Sequence, residues 1–162
     1  MHEIEVELSW AEITHASHVG LMRQVMCSMR KARDRQPQSA PPSWDRDIVG
    51  AIAEYVAAKF LGLFWRAFGI GGTDVGPYQV RSKSEVGHRL CIKPQDRDDE
   101  AFILVQVLHR DKTRPRICGW YNCGDAKRPE WRSDDGFWYV PNDQLRPMAE
   151  LPPPAPNLRL VA

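Results

Sequence analysis

Between positions 54 and 81 the chain carries two carboxylates, an amide and a guanidinium whose types suit phosphoryl chemistry: Glu54, Asp74, Gln79 and Arg81. Glu54 stands in GAIAEYVAAKFLG, a stretch that is otherwise almost wholly apolar. A carboxylate so placed costs free energy unless it meets a cation, a metal or hydrogen-bond donors, or reaches solvent. Asp74 lies in GIGGTDVGPY, whose glycines let the backbone turn sharply and approach a ligand closely. An aspartate in such a loop also serves as an ordinary turn residue. In YQVRSK, strand alternation puts Gln79, Arg81 and Lys83 on one face and Tyr78, Val80 and Ser82 on the other. A carboxylate from a helix, an aspartate at a turn and an amide–cation pair on a strand can hold a hard divalent ion, which takes oxygen ligands, beside a phosphate. No GxxxxGK[ST] occurs, so the glycine loop is not a phosphate-binding loop of that kind.

Positioning these side chains requires a helix before the glycine loop and a strand after it, and the flanking sequence supplies both. Asp45 or Asp47 can cap a helix that runs to about Phe60. Ile48, Ile52, Val56 and Phe60 recur at spacing four, with alanines beside them, as in a helix pressed against a sheet, and Gly62 suits its C-terminus. Upstream, Ser9 and Glu12 match a capping box, and Trp10 to about Arg33 has the apolar spacing of an amphipathic helix. His15 and His18 decorate that helix as a solvated face or a shared metal pair, and Met22, Met26 and Met29 read as packing surface. The basic run Arg30, Lys31, Arg33 and Arg35 suits a helix C-terminus, with a phosphate-contacting patch as the other reading. Residues 36–44 are a proline-rich connector.

Met1–Leu8 alternates as a short edge strand or an extended lead-in. After the Tyr78–Lys83 strand, Glu85–Pro94 reads as another, with Leu90 and Ile92 inward, and Gln95–Glu100 as a charged turn. Ala101–His109 is the most apolar run and is expected at the centre of the sheet, followed by a strand over Arg114–Tyr121. The polar segment Asn122–Asp135 is a loop or short helix, Phe137–Pro141 a short aromatic strand, and Asn142 or Asp143 starts a helical turn. Two helices followed by strands with little helix between them predict an α+β domain with an α/β core, helices packed on a central mixed sheet. The expected divisions are an N-terminal strand and helix over 1–35, a core over 45–151 and a proline-rich tail over 152–162.

Bulk properties narrow the function. With 22 Lys+Arg against 21 Asp+Glu the net charge is +1, which argues against a non-specific nucleic-acid coat and leaves room only for a local basic groove. Cys27, Cys91, Cys118 and Cys123 lack CxxC spacing, so reduced thiols are expected; Cys118 and Cys123 would need a distant partner such as His109 to hold zinc. No apolar run approaches the ~20 residues that cross a bilayer. No signal peptide is evident, no membrane partner is expected, and the expected location is the cytoplasm.

GAIAEYVAAKFLG followed by TDVGPYQVRSK resembles the core of the PD-(D/E)XK nuclease superfamily, in particular its small phage and mobile-element members. The later run RICGWYNCGDAKRPEW, with FWYVPNDQLRPM after it, is similar to the tail of such proteins, so the resemblance spans about residues 48–151. It implies a restriction-endonuclease-like fold and a metal-dependent nuclease that hydrolyses nucleic acid, with DNA the expected form. Glu54 matches the helical glutamate, Asp74 the aspartate, Gln79 the Glu/Gln position and Arg81 the lysine position.

On this resemblance Mg²⁺ or Mn²⁺ is the implied cofactor. Asp74 is the principal ligand, Gln79 offers an amide oxygen and Glu54 binds through water or orients a second ion. Two departures weigh on activity: Gln79 lacks the charge of Glu, and Arg81 can clamp phosphate but not serve as a base. Lys83, on the face of Arg81, is a second candidate cation. Arg23, Lys31 and Arg33 would extend a nucleic-acid groove, and a homodimer would suit an enzyme that cuts both strands. Two alternatives stay open. One is a nuclease-fold domain of weak or no activity that binds nucleic acid or a protein partner. The other is an interaction domain with Trp120, Trp131 and Trp138 as its surface.

Overall fold

The structure, a computed structural model, describes residues 3–29, 44–67, 72–85, 87–108 and 110–154. The capping box at Ser9 forms as its spacing predicts. Ser9 N and Oγ donate to Glu12 Oε2 at 2.7 and 2.9 Å, and Glu12 N donates back to Ser9 Oγ at 3.3 Å. From this start helix α1 runs over Trp10–Met29. The basic run Arg30–Arg35 and the proline-rich connector lie outside the described residues.

Helix α2 spans Trp44–Leu61 and buries Val49, Ala51, Ile52, Ala53, Val56, Ala57 and Ala58. It stops at Gly62, whose φ of 64° is the left-handed conformation that glycine adopts without a Cβ penalty. Gly62 N bonds the Lys59 carbonyl and Leu63 N the Ala58 carbonyl, a Schellman ending that satisfies the last free carbonyls. The two helices meet closely at Gly20. A Cβ there would stand 2.6 Å from both the Asp47 carbonyl oxygen and Ile48 Cα, so any side chain would drive them apart.

The helices pack on a four-stranded mixed sheet, giving an α+β fold. Its order is β1 (Ile4–Glu5), β5 (Arg116–Asn122), β4 (Ala101–Gln106), β2 (Tyr78–Lys83). β2 and β4 run parallel, with Gln79 opposite Phe102 and Arg81 opposite Leu104; the other two pairings are antiparallel. A second, two-stranded antiparallel sheet joins β3 (Leu90–Ile92) to β6 (Trp138–Val140). Helix α3 (Cys123–Ala126) and a 3-10 turn at Pro129–Trp131 occupy the expected polar segment. Among the described residues 63–67, Trp65 forms an isolated bridge with Val75.

β4 explains why its sequence is apolar without alternation. Ile103 and Val105 enter a core shared with Ile52, Val56, Val80 and Ile117 beneath the helices. Phe102 and Leu104 enter a second core with Leu90, Ile92, Tyr121 and Val140 beneath the small sheet. Both faces of the central strand are therefore covered, which selects a continuous apolar run. No helix among the described residues is long and apolar enough to cross a membrane.

Candidate active site

Asp74 sits at the outer side of β2, the last strand of the sheet. A tight reversal brings it there: Asp74 N and Val75 N both donate to the Tyr78 carbonyl at 3.0 Å, and Tyr78 N donates to Val75 O at 3.0 Å. Thr73 Oγ1 closes the turn on the Gly76 carbonyl. Gly76 has φ 55°, and a Cβ there would meet Leu63 Cδ1 at 2.9 Å. The Asp74 carboxylate then accepts from Val80 N at 2.8 Å through Oδ2, which pins it to the β2 backbone between Gln79 and Arg81. Burial pushes its pKa up from 3.8 to about 6. The Val80 N–H opposes the shift, the charge of Glu54 adds to it, and Arg81 and Arg23 oppose it. Asp74 thus lies within the fields of all three charged groups.

Glu54 projects from α2 into a polar cluster under α1. Arg23 Nη1 donates to Oε1 at 2.7 Å and Nη2 to Oε2 at 2.6 Å, a fork-to-fork pair, while Trp65 Nε1 donates to Oε2 at 3.0 Å. The third guanidinium nitrogen of Arg23, Nε, donates to the Ala67 carbonyl at 2.8 Å. Tyr55 and His15 meet the Trp65 ring edge-on at 5.4 and 5.7 Å. Arg23, expected among nucleic-acid contacts, instead turns inward and neutralises Glu54. Glu54, expected to bind an ion through water or to orient a second one, has both oxygens engaged by protein donors.

Gln79 and Arg81 share the opposite face of β2, as alternation requires. Gln79 Nε2 donates to Glu100 Oε1 at 3.2 Å and to the Gly72 carbonyl at 3.3 Å, two residues before Asp74. Arg81 Nη2 lies 3.0 Å from both Asp96 oxygens, with its guanidinium 4.7 Å from the Phe102 ring centroid. Its Nε is buried and has no hydrogen-bond partner among the described residues. Asp96 is held in turn by Lys93 N at 2.8 Å, and Lys127 Nζ reaches the Asp96 carbonyl at 2.7 Å. Lys83 is only 5% exposed and is not offered to a ligand at the surface. Burial raises the pKa of the Cys118 thiol, and the nearby Lys83 charge works the other way. The face of β2 that carries Gln79, Arg81 and Lys83 is covered because Phe102 and Leu104 of β4 draw the second core across it. Lys31 and Arg33 lie outside the described residues.

Three participants escaped the sequence reading. Asp96 and Glu100 were part of a charged turn, and no local pattern marked them as partners of Arg81 and Gln79. Trp65 was one aromatic among several; only its pairing with Val75 aims its indole N–H at Glu54. The proposed tryptophan surface also changes. Trp120 is 3% exposed and donates to the Pro147 carbonyl at 3.0 Å, whereas Trp131 and Trp138 are half-buried beneath Arg128 and Arg132.

The side-chain oxygens left open to a divalent ion are on Asp74 and Gln79. Among the described residues, Asp74 Oδ1 and Gln79 Oε1 have no protein hydrogen bond, while their other polar atoms are anchored. Glu54 fits only in the outer shell. Among the described residues, no group of three or more His, Cys, Asp or Glu side chains could hold an ion, so Gln79 and backbone oxygens or water would have to complete one. Comparison with described protein families, curated proteins and solved structures returned no match.

Proposed function

We propose that the protein is a metal-dependent, nuclease-like hydrolase of phosphodiester bonds in nucleic acid, DNA first, with a restriction-endonuclease-like core. The observation that carries this reading is Asp74: a desolvated carboxylate fixed by Val80 N, with one oxygen uncommitted, in the combined field of Glu54, Arg81 and Arg23. A carboxylate pushed towards neutrality by burial and a second anion gains most from a bound cation.

Asp74 and Gln79 would hold Mg²⁺ or Mn²⁺, and the ion would supply Lewis-acid chemistry to a phosphoryl oxygen and an attacking water. Arg81 would hold the phosphate as a fixed cation. Asp96 aims that guanidinium, and Glu54, paired with Arg23, stands outside the ion's ligands.

Calorimetric titration of Mn²⁺ into the wild type and Asp74→Ala, at low salt and pH 7.5, tests the reading. Saturable binding by the wild type that Asp74→Ala abolishes is expected; equal binding by both proteins sinks it. A second reading, a nuclease-fold domain that binds without cutting, is favoured by one observation: Glu54 and Arg81 are already committed to Arg23 and Asp96. It keeps Mn²⁺ binding but gives no cleavage of single- or double-stranded DNA or RNA.

A further inference from the structure

Arg128 and Arg132 are exposed, and each lies over an indole ring. Arg128 stands 4.6 Å from the Trp131 centroid and Arg132 5.5 Å from that of Trp138. The backbone sets both pairs side by side. Pro129 opens the 3-10 turn that carries Trp131, and Tyr121 meets that ring edge-on at 5.4 Å. Arg132 follows Trp131 in the chain and joins Trp138 through an antiparallel bridge. Neutral oxygens steady Arg128: the Asp125 carbonyl at 2.9 Å and the Tyr121 hydroxyl at 3.0 Å. Among the described residues, the Arg132 side chain makes no hydrogen bond and neither guanidinium meets a carboxylate. Nearby acids are engaged elsewhere: Asp98 by Lys127 at 2.6 Å, Asp125 by Arg146 at 2.8 Å and Asp135 by the Tyr139 hydroxyl at 2.6 Å. Glu130 and Asp134 are exposed beside the pairs, so the surface carries little net charge.

This surface leads to Arg81 by short steps. Lys127 Nζ lies 6.0 Å from the Trp138 centroid and 2.7 Å from the Asp96 carbonyl oxygen, and the Asp96 carboxylate holds Arg81 at 3.0 Å. We propose that Arg128–Trp131 and Arg132–Trp138 form a stacking platform for the unpaired bases of a single-stranded nucleic acid. The inference rests on the nuclease reading and deepens it by naming the form of the substrate. Every base has a π-face that can stack on an aromatic ring or a guanidinium plane, so such a surface tolerates any sequence. Guanidinium edges free of carboxylates can take phosphate oxygens from the same strand. A duplex hides its base faces and offers mainly phosphates, whose binding needs a positive charge that neither this surface nor a chain at +1 supplies. Stacking, not charge, therefore selects the ligand.

The test is fluorescence anisotropy of a labelled single-stranded DNA of about 12 nucleotides and mixed sequence, and of its duplex, titrated with the full chain. EDTA is present, so that neither metal binding nor cleavage contributes. The wild type is expected to bind the single strand about tenfold more tightly than the duplex, with quenching of its tryptophan fluorescence. Arg128→Lys/Arg132→Lys keeps both charges and removes both planar groups. It is expected to weaken single-strand binding about tenfold while the salt dependence stays that of the wild type.

Unchanged single-strand affinity in the double variant overturns the proposal, as does a duplex bound as tightly as the single strand. No binding of either form also overturns it and leaves the surface to a protein partner. Should the double variant fail to fold, Arg132→Lys decides: a loss of about threefold or more supports the proposal, and wild-type affinity overturns it. Failure of the underlying reading looks different. Tight single-strand binding by a protein that takes up no Mn²⁺ and cuts no nucleic acid keeps the platform and removes the hydrolase. Cleavage of single-stranded DNA in Mn²⁺ at the wild-type rate and affinity by the double variant keeps the hydrolase and removes the platform.

Discussion

At the scale of single residues, Asp74 and Glu12 pull the pH dependence of stability in opposite directions. Folded, Asp74 keeps its proton to about pH 6; its ordinary value is 3.8. Between those values the folded state binds more protons than the unfolded one, so stability falls as pH rises from about 4 to 6 and stays lower above. The loss is on the order of 2 kcal/mol once partial exposure is allowed for. Glu12 is lowered from 4.5 to about 2, first by the hydrogen bond from Lys59 and then by the Ser9 backbone. Its contribution is present above pH 4.5 and is lost as pH falls towards 2. Asp74→Asn keeps an acceptor for Val80 N and removes the charge. Thermal melts should therefore show it more stable than wild type at pH 7.5 and nearly equal at pH 4.5. Equal melting temperatures at both values would show that Asp74 ionises in the fold at no cost. A residue that destabilises its own fold in the absence of a ligand is what a binding site is expected to contain.

At the scale of elements, the contact between α1 and α2 is what lets Arg23 reach Glu54. Gly20 precedes Arg23 by one helical turn, and the Asp47 and Ile48 backbone leaves no room for a methyl group beside it. Gly20→Ala gains helix propensity but forces the helices apart, for a net loss of about 1–3 kcal/mol, measurable by urea denaturation. The fork at Glu54 should loosen with it, so Arg23→Gln should cost less in the Gly20→Ala background than in the wild type. A Gly20→Ala variant with no loss of stability would mean that α1 can shift freely along α2.

The local devices at these elements were legible in the sequence: the Ser9–Glu12 box, the glycine that ends α2, and the covered strand at Ala101. Each is set by residues within a few positions of one another. The ion pairs were not legible. Arg23 finds Glu54, Arg81 finds Asp96 and Gln79 finds Glu100 across separations that only the packing of the sheet and helices closes. A cation on an amphipathic helix looks the same in sequence whether it faces solvent or a buried carboxylate. Alternation placed Gln79, Arg81 and Lys83 on one face correctly, but it does not say what covers that face. The second sheet does, and its strands β3 and β6 lie far apart in the chain.

At the scale of the whole molecule, one strand serves two cores. Ile52 is fully buried in the core under the helices, and Phe102 is fully buried in the core under the small sheet. Ile52→Ala should cost about 2–5 kcal/mol and Phe102→Ala about 3–5. Because β4 contributes alternate residues to both, each variant should lower a single transition seen alike by tryptophan fluorescence and far-ultraviolet circular dichroism. Transitions that separate in Phe102→Ala would show that the small sheet melts on its own. Phe102→Ala also strips the ring from beneath Arg81, so it should weaken phosphate-dependent binding beyond its effect on stability, whereas Ile52→Ala should not.

The hydrogen bond from Val80 N to Asp74 has a bearing on solubility as well. β2 closes one side of the sheet, and an uncovered outer strand is a template on which a second chain can add a strand of its own. The turn at Asp74 blocks that growth. Val75 takes up the outward Tyr78 amide, and the Asp74 carboxylate takes up that of Val80. On the far side of the sheet, β1 is only two residues long and offers little template. The same carboxylate proposed to receive a cation thus acts as a guard against self-association. Removing it with alanine uncovers the amide of Val80 along with the ligand position, whereas asparagine leaves the guard in place.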